Sequence, residues 1–470
     1  MQYKYVVLIN TTIAAFMALL DANIVLISLP TIVRELPGTT ALDGIWVIIG
    51  YSLVTATLLL SFGRLADIYG RVRLYKFGFF VFTAGSALCS VATDGTFLVL
   101  SRLVQGTGAA LIFSNSAAIL TDAFPPAERG KALGINQVAG VSGSVLGLVA
   151  GGILTATLGW RSIFWINVPV GIYATLWAHY KLREIGSISK GERLDPAGNA
   201  SFALGLTMLL LGLTLGAMSG WGPLDLLLVA AGTGLLALFL YAEKRAKNPM
   251  MDLGLFRIRA FAAGVTSNFL AAVARGAVSL LLVFYFQGAL LLDPFASGVR
   301  ILPFSLALVV AGPICGYLSD KYGSRVFVSG GLAVSALAYL WFATVPANVS
   351  YVVLAVAMLL AGAGGGMFVS PNTSSIMSSV PPTRRGIAAG TSATLFNVGY
   401  LISISLSFVV MASQIPLPIL AGIFAGRAAA SGTLNVDSFM VAMHVMFAMA
   451  TVISVVAVVP SFMGGRKRAG

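Results

Sequence analysis

The stretch GRLADIYGRVR, Gly63 to Arg73, places Arg64, Asp67, Arg71 and Arg73 close together in a chain that is 58% hydrophobic and only 10% charged. A shorter counterpart, GYLSDKYGSR, runs from Gly316 to Arg325. Gly63, Leu65, Asp67, Tyr69 and Gly70 recur there as Gly316, Leu318, Asp320, Tyr322 and Gly323, an offset of 316 − 63 = 253 residues. A second pair, PPAERG from Pro125 and PPTRRG from Pro381, repeats at 381 − 125 = 256. Two motifs at nearly one offset identify duplicated halves.

What lies between the motifs is apolar. Mean hydropathy is +0.93 over 470 residues, and apolar runs of about twenty residues, enough to cross a bilayer as a helix, recur along the chain. Their breaks predict fourteen spans near 6–30, 42–62, 74–93, 97–120, 132–156, 162–180, 198–217, 224–242, 260–288, 296–318, 326–345, 350–376, 386–412 and 438–461. The first run is too long for the apolar core of a cleaved signal and reads as a retained span. The expected fold is an all-α polytopic membrane protein. Residues 1–182 and 260–470 form its two six-helix bundles, and residues 183–259 form a two-helix insertion without a repeat partner.

Charge placement sets the expected orientation. With the N-terminus in the cytoplasm, 23 of the 29 lysines and arginines fall in cytoplasmic loops or termini; the outer side holds 4, Arg34, Arg161, Arg300 and Arg427. Arg102 and Arg275 remain inside the membrane. Such asymmetry is the positive-inside pattern. It places both termini in the cytoplasm and the chain in the cell membrane. The net charge of +13 therefore reports topology and contact with anionic lipid, with no nucleic-acid partner. Cys89 and Cys315 lie in apolar segments as packing residues, and His179 and His444 cannot form a metal cluster. No nucleophile elbow or phosphate-binding loop appears, so neither an enzyme nor a cofactor is expected. Paired-half architecture without charge rings also argues against a channel.

Several motifs make the reading specific. Gly63–Arg73 resembles the loop 2–3 signature of the major facilitator superfamily. LLDANIVLISLPTI (Leu19–Ile32) resembles the first-helix motif of its fourteen-helix drug:proton antiporter branch, with Asp21 on the acidic position. LSRLVQGTGAA (Leu100–Ala110) resembles the fourth-helix motif, with Arg102 on its arginine. Gly134, Gly143, Gly147, Gly151 and Gly152 reproduce the glycine spacing of the antiporter motif in helix five, although Leu148 stands where that motif has proline. WRSIFWINVPVG (Trp160–Gly171) and YFQ with SGVRILP (Tyr285–Pro303) extend the likeness over the whole chain. The resemblance implies a monomeric multidrug-efflux type transporter that exports small amphipathic compounds in exchange for protons by alternating access. The alternative left open is a uniporter or proton symporter of an organic anion.

Each candidate residue carries two readings. Asp21 lies within a span, where an ionisable group is costly and functional by default. Counting residues from the helix ends puts Asp21 and Arg102 at one depth, about 12–14 Å from the outer surface at 1.5 Å per residue. They are expected to pair directly or through Gln105, either as the proton-coupling element or as a static pair joining two helices. Gly63, Arg64, Asp67, Gly70, Arg71 and Asp320 are the candidate cytoplasmic gate. The resemblance suggests that Asp67 meets the helix beginning near Gly386, the alternative being a solvated loop. Gly143, Gly147, Gly151 and Gly152 let a neighbouring helix approach. Arg275 either favours an anionic substrate or caps carbonyls freed by a kink. Phe16, Asn23, Tyr51, Gln105, Gln287 and Asn397 complete the candidate substrate cavity, with ordinary helix packing as the alternative.

Overall fold

The structure, a computed structural model, describes residues 2–125, 128–185, 195–246, 249–346, 348–381, 384–416, 419–420 and 436–464. The Asp320 side chain and the loop cations Lys190, Arg193, Lys247, Arg427, Arg466, Lys467 and Arg468 lie outside the described residues. The described chain is all helical. The helices α1 (Tyr3–Glu35), α2 (Ala41–Tyr69), α3 (Arg71–Ser90), α4 (Gly95–Ala123) and α5 (Arg129–Leu158) come first. A broken rod follows, α6 (Ser162–Trp165) and α7 (Asn167–Lys181), then a hairpin of α8 (Pro196–Ser219) and α9 (Pro223–Arg245). Next, α10 (Arg259–Arg275), α11 (Val278–Phe284) and a π-helical turn, Tyr285–Ala289, form one interrupted stretch. The chain closes with α12 (Pro294–Tyr322), α13 (Ser324–Phe342), α14 (Tyr351–Ser379), α15 (Arg385–Gln414) and α16 (Val436–Gly464).

Local chemistry marks the ends. Asp94, Asp195 and Asp293 accept backbone N–H groups at the starts of α4, α8 and α12, satisfying donors that a helix leaves free. Pro196, Pro223 and Pro294 occupy the first helical position, where the missing N–H costs nothing. Gly70 and Gly323, at φ of +104° and +90°, reverse the chain between α2 and α3 and between α12 and α13. Only glycine adopts such angles without strain, which is why both copies of the motif keep it.

Twelve helices among the described residues are long and apolar enough to cross a membrane, fewer than the fourteen expected. Those that fall short are α3 and the α6–α7 rod. The former carries Arg71, Arg73 and Lys76 near its start, and the latter breaks at Ile166 into pieces of 4 and 15 residues. The outer faces are greasy: Phe80, Leu227 and Val352 are 60%, 64% and 68% exposed, a surface suited to lipid rather than water.

The duplication is visible in the packing. Gly106 of α4 backs onto the Tyr51 carbonyl of α2, and Gly362 of α14 onto the Phe304 carbonyl of α12. The offsets are 304 − 51 = 253 and 362 − 106 = 256. Gly143 meets the Phe16 carbonyl and Gly399 the Phe269 carbonyl at the same two offsets. In the first half, α1 packs on α5, and α4 on α2 and α3; in the second, α10 packs on α15, and α14 on α12 and α13. Between these groups, α5 touches α12 and α2 touches α15, while α8 rests on both α2 and α15. The α8–α9 hairpin is fixed to α2 by Asn199, which donates to the Thr57 carbonyl at 3.1 Å, and by Trp46 Nε1, which donates to Thr214 Oγ1 at 3.3 Å.

Candidate functional site

Asp21 is fully buried in α1 at the meeting point of α4 and α7. Its Oδ2 accepts from Arg102 Nη1 at 2.6 Å, and its Oδ1 accepts from Gln105 Nε2 at 2.9 Å and Asn167 Nδ2 at 2.6 Å. Arg102 and Gln105 share a face of α4 because they stand three residues apart on a helix. Asn167 arrives differently. The rod breaks at Ile166, so Asn167 opens α7 pointing inward, and it is 2% exposed.

The outer members of the network tie in α2 and α3. Gln105 Nε2 also donates to Ser86 Oγ at 2.6 Å. Arg102 Nη1 donates to Gln105 Oε1 at 2.6 Å, and its Nε to the Val47 carbonyl at 3.1 Å. The guanidinium lies 4.1 Å from the Tyr51 ring centroid, and the Tyr51 hydroxyl donates to the Ala18 carbonyl at 3.4 Å. A buried ion pair needs further hydrogen bonds to its remaining donors and acceptors, and here both Asp21 oxygens and three of the five Arg102 N–H groups have partners. Arg102 keeps three partners that do not depend on Asp21: Gln105, the Val47 carbonyl and the Tyr51 face. Neutralising Asp21 would therefore remove the ionic link between α1 and α4 while Arg102 keeps these three partners.

The glycines of α5 position α1 beside this network. Gly143, Gly147 and Gly151 back onto the carbonyls of Phe16, Leu20 and Ile24, so a Cβ on Gly147 or Gly151 would fall 2.6 or 2.8 Å from the facing oxygen. Gly152 instead faces Pro294 of α12, and Gly298 of α12 faces the Leu148 carbonyl. The stripe thus grips α1 on one side and the second half on the other. Gly134 has open space around it. With Leu148 in place of proline, α5 runs unbroken from Arg129 to Leu158.

At the end of the bundle that carries the N-terminus, Arg71 donates to Asp67 Oδ1 at 2.8 Å and to Asp122 Oδ2 at 2.9 Å, joining α2, α3 and α4. Among the described residues Asp67 makes no hydrogen bond to the start of α15; Arg71, four residues away, offers a nearer counter-charge. Glu184 accepts from the backbone N–H groups of Arg71 and Val72 at 3.1 and 3.0 Å, capping α3. Arg64 donates to the Pro249 carbonyl at 3.1 Å, and Gly63 packs loosely near Ser114.

The residues expected to line one substrate cavity fall in separate places. Tyr51 and Gln105 belong to the Asp21 network. Asn23 donates to Ser144 Oγ of α5 at 2.9 Å, and Phe16 faces α5 with its backbone. Gln287, in the π turn, donates to the Ile27 carbonyl at 2.8 Å and so links the second half to α1. Asn397 donates to the Ala393 carbonyl of its own helix at 2.9 Å. Arg275 lies within the second half and caps no carbonyl among the described residues. Hydropathy gives the depth of a residue but not its direction around the helix, which decides who meets whom.

Three participants escaped the sequence reading. Asn167 was inside a recognisable stretch, WRSIFWINVPVG, as a lone amide in an apolar run. Ser86 carried no signal. Glu243, 3% exposed near the end of α9, accepts the backbone N–H groups of Met250 and Met251 at 3.1 and 3.0 Å; its place beside loop cations hid its burial.

A duplicated bundle of membrane-length helices with a buried charge network defines a polytopic membrane transporter, not an enzyme. The chain belongs to the Major Facilitator Superfamily, whose family description matches residues 11–404 and again residues 264–464. The second match starts 264 − 11 = 253 residues after the first, which is the repeat offset. The riboflavin transporter RibZ of Clostridioides difficile is 34% identical over 400 residues, covering 85% of this chain and 86% of that one. The multidrug resistance protein Stp of Mycobacterium tuberculosis is 35% identical over 387 residues, covering 82% and 71%. The fold is similar to a bacterial homologue of the human lysosomal transporter Spinster, crystallised in an inward-facing, unoccupied conformation. The TM-score is 0.66 with 16% identity, over 99% of both chains.

Proposed function

We propose that the protein is a proton-coupled exporter of small amphipathic compounds, working by alternating access of its two halves in the cell membrane. The observation that carries this reading is Asp21: a carboxylate at zero exposure whose arginine partner has three other ligands. Protonation removes the α1–α4 ion pair while Arg102 keeps those three ligands, so one proton biases two arrangements of the helices. Similarity to a relative named for multidrug resistance supports export as the direction. On this reading α3 and the α6–α7 rod complete fourteen spans and both termini face the cytoplasm. Residues 1–182 and 260–470 act as the moving halves around the 183–259 insertion. Asp67 and Arg71 then hold the cytoplasmic gate of a monomer bathed in anionic lipid.

A second reading, uniport or proton symport of an organic anion, is supported by Arg275 and by similarity to a riboflavin transporter. Proteoliposomes carrying a pH-sensitive dye decide between them when tested with cationic, neutral and anionic compounds. Proton movement opposite to substrate supports exchange, and movement in the same direction supports symport. Substrate flux without any proton flux would remove Asp21 from the coupling role.

A further inference from the structure

Arg275 ends α10 about halfway along the stretch from Arg259 to Ala289, roughly 24 Å from its start at 1.5 Å per residue. Among the described residues it makes no ion pair and no hydrogen bond. Its one contact of note is the Phe396 ring, with Cζ 5.5 Å from the centroid. A guanidinium offers five donors and no acceptor, and an unmatched charge at such depth is costly. A cavity of about 20 Å³ lies against it, lined also by Ser335, Tyr339 and Ser454. None of these three hydroxyls makes a hydrogen bond among the described residues. Gly365 keeps the space open: a Cβ there would fall 3.2 Å from Arg275 Nη1.

The repeat sharpens the picture. At the offset of 253, Tyr339 stands where Ser86 stands in the first half, and Ala274, next to Arg275, stands where Asp21 does. At the offset of 256, Met358 and Ala361 replace Arg102 and Gln105. At this depth the second half thus carries its cation on α10 instead of α14, with alanine at the places of the Asp21 carboxylate and the Gln105 amide.

We propose that this pocket is a small-anion site, filled by a halide ion or by one carboxylate group of a transported compound, with Arg275 as the counter-charge and Tyr339, Ser335 and Ser454 as hydroxyl donors. The volume suits one such group: a cavity of about 10–15 Å³ already holds a water molecule. Arg275 supplies charge-assisted hydrogen bonds, the strong class for anions. The proposal does not depend on proton coupling or on the direction of transport.

The test uses the full-length protein purified in neutral detergent, with sodium gluconate as a background anion too large for the pocket. Replacing gluconate by bromide probes a free halide, and replacing it by formate probes a substrate carboxylate. At least one of the two anions should raise the unfolding midpoint by about 2 °C at ten times its Kd. Bromide acting alone identifies the halide source, and formate acting alone the carboxylate source. Arg275→Gln should abolish the response, while Tyr339→Phe and Ser454→Ala should weaken it several-fold in midpoint concentration. Should Arg275→Gln fail to fold, bromide anomalous scattering from crystals of the natural protein gives the same answer, with a peak expected beside Arg275. A midpoint unmoved by both anions, or a response that survives Arg275→Gln, would overturn the site; so would bromide-soaked crystals without that peak where bromide shifts the midpoint.

Discussion

Asp21 and Arg275 stand at nearly the same point of the two repeats, 275 − 21 = 254 residues apart, and the two halves treat them in opposite ways. Asp21 is enclosed by three donors from α4 and α7, and its arginine is itself enclosed by α2 and α4. Arg275 faces the hydroxyls of Ser335, Tyr339 and Ser454, and no carboxylate lines its pocket. One half has internalised its counter-charge; the other has left the position to something that arrives from outside. Duplication gave both halves the same helix contacts, and the divergence lies in a few side chains at one depth. A transporter built this way can separate two tasks, with a proton-sensitive element in the first half and an anion-holding pocket in the second.

The largest effect that tests this contrast concerns the arginines. Arg102→Met leaves the Asp21 carboxylate buried without its counter-charge, which should cost about 3–5 kcal/mol of stability, read as a drop in the thermal midpoint in detergent. Adding Asp21→Asn to Arg102→Met should recover most of it. Arg275→Met in anion-free buffer should cost nothing or stabilise, because no internal partner is stranded. Equal losses at the two arginines would erase the contrast. Next in size is Asn167→Ala, which removes one of the three donors to Asp21 and should cost about 1–2 kcal/mol. A neutral result would mean that the α7 break serves packing rather than the network.

The smallest effect lies outside the spans, at the start of α4. The Phe97 backbone N–H and the Thr93 hydroxyl hold the Asp94 carboxyl below the usual carboxylate range. Its repeat partner Ser350 makes no such cap on α14. A depressed carboxyl stabilises fully above the ordinary aspartate value of 3.8 and loses that contribution as pH falls through its folded value. Thermal midpoints measured from pH 5 to pH 3 should therefore fall less steeply in Asp94→Ala than in the natural protein. Parallel acid limbs would show that the cap contributes nothing.

Much of this architecture is legible in the amino-acid sequence, for reasons that differ by feature. The repeat is carried by Gly70 and Gly323, whose backbone angles exclude other residues, so the turn chemistry itself keeps the register. The shared depth of Asp21 and Arg102 follows from counting residues at a fixed helical rise. Direction around each helix does not follow: Gln287 turns to the Ile27 carbonyl and Asn397 to its own helix, although both are polar residues in apolar runs. The α6–α7 break left one trace, Pro169, which has no N–H to bond the Trp165 carbonyl four residues back, but that proline alone did not show that Asn167 would turn inward. The Asp67–Arg71 pair was within reach as a spacing of four, but Gly70 between them suggested a turn rather than two helices meeting end to end.

The central claim is that Asp21 carries the coupled proton, and Asp21→Asn tests it most directly. In proteoliposomes with an imposed pH gradient, this near-isosteric neutral variant should fold and retain downhill exchange of substrate. Uphill accumulation should fall to background, with its pH dependence gone, and Asp21→Glu should restore part of both. If Asp21→Asn still accumulates substrate against its gradient with the pH dependence of the natural protein, Asp21 is not the coupling group.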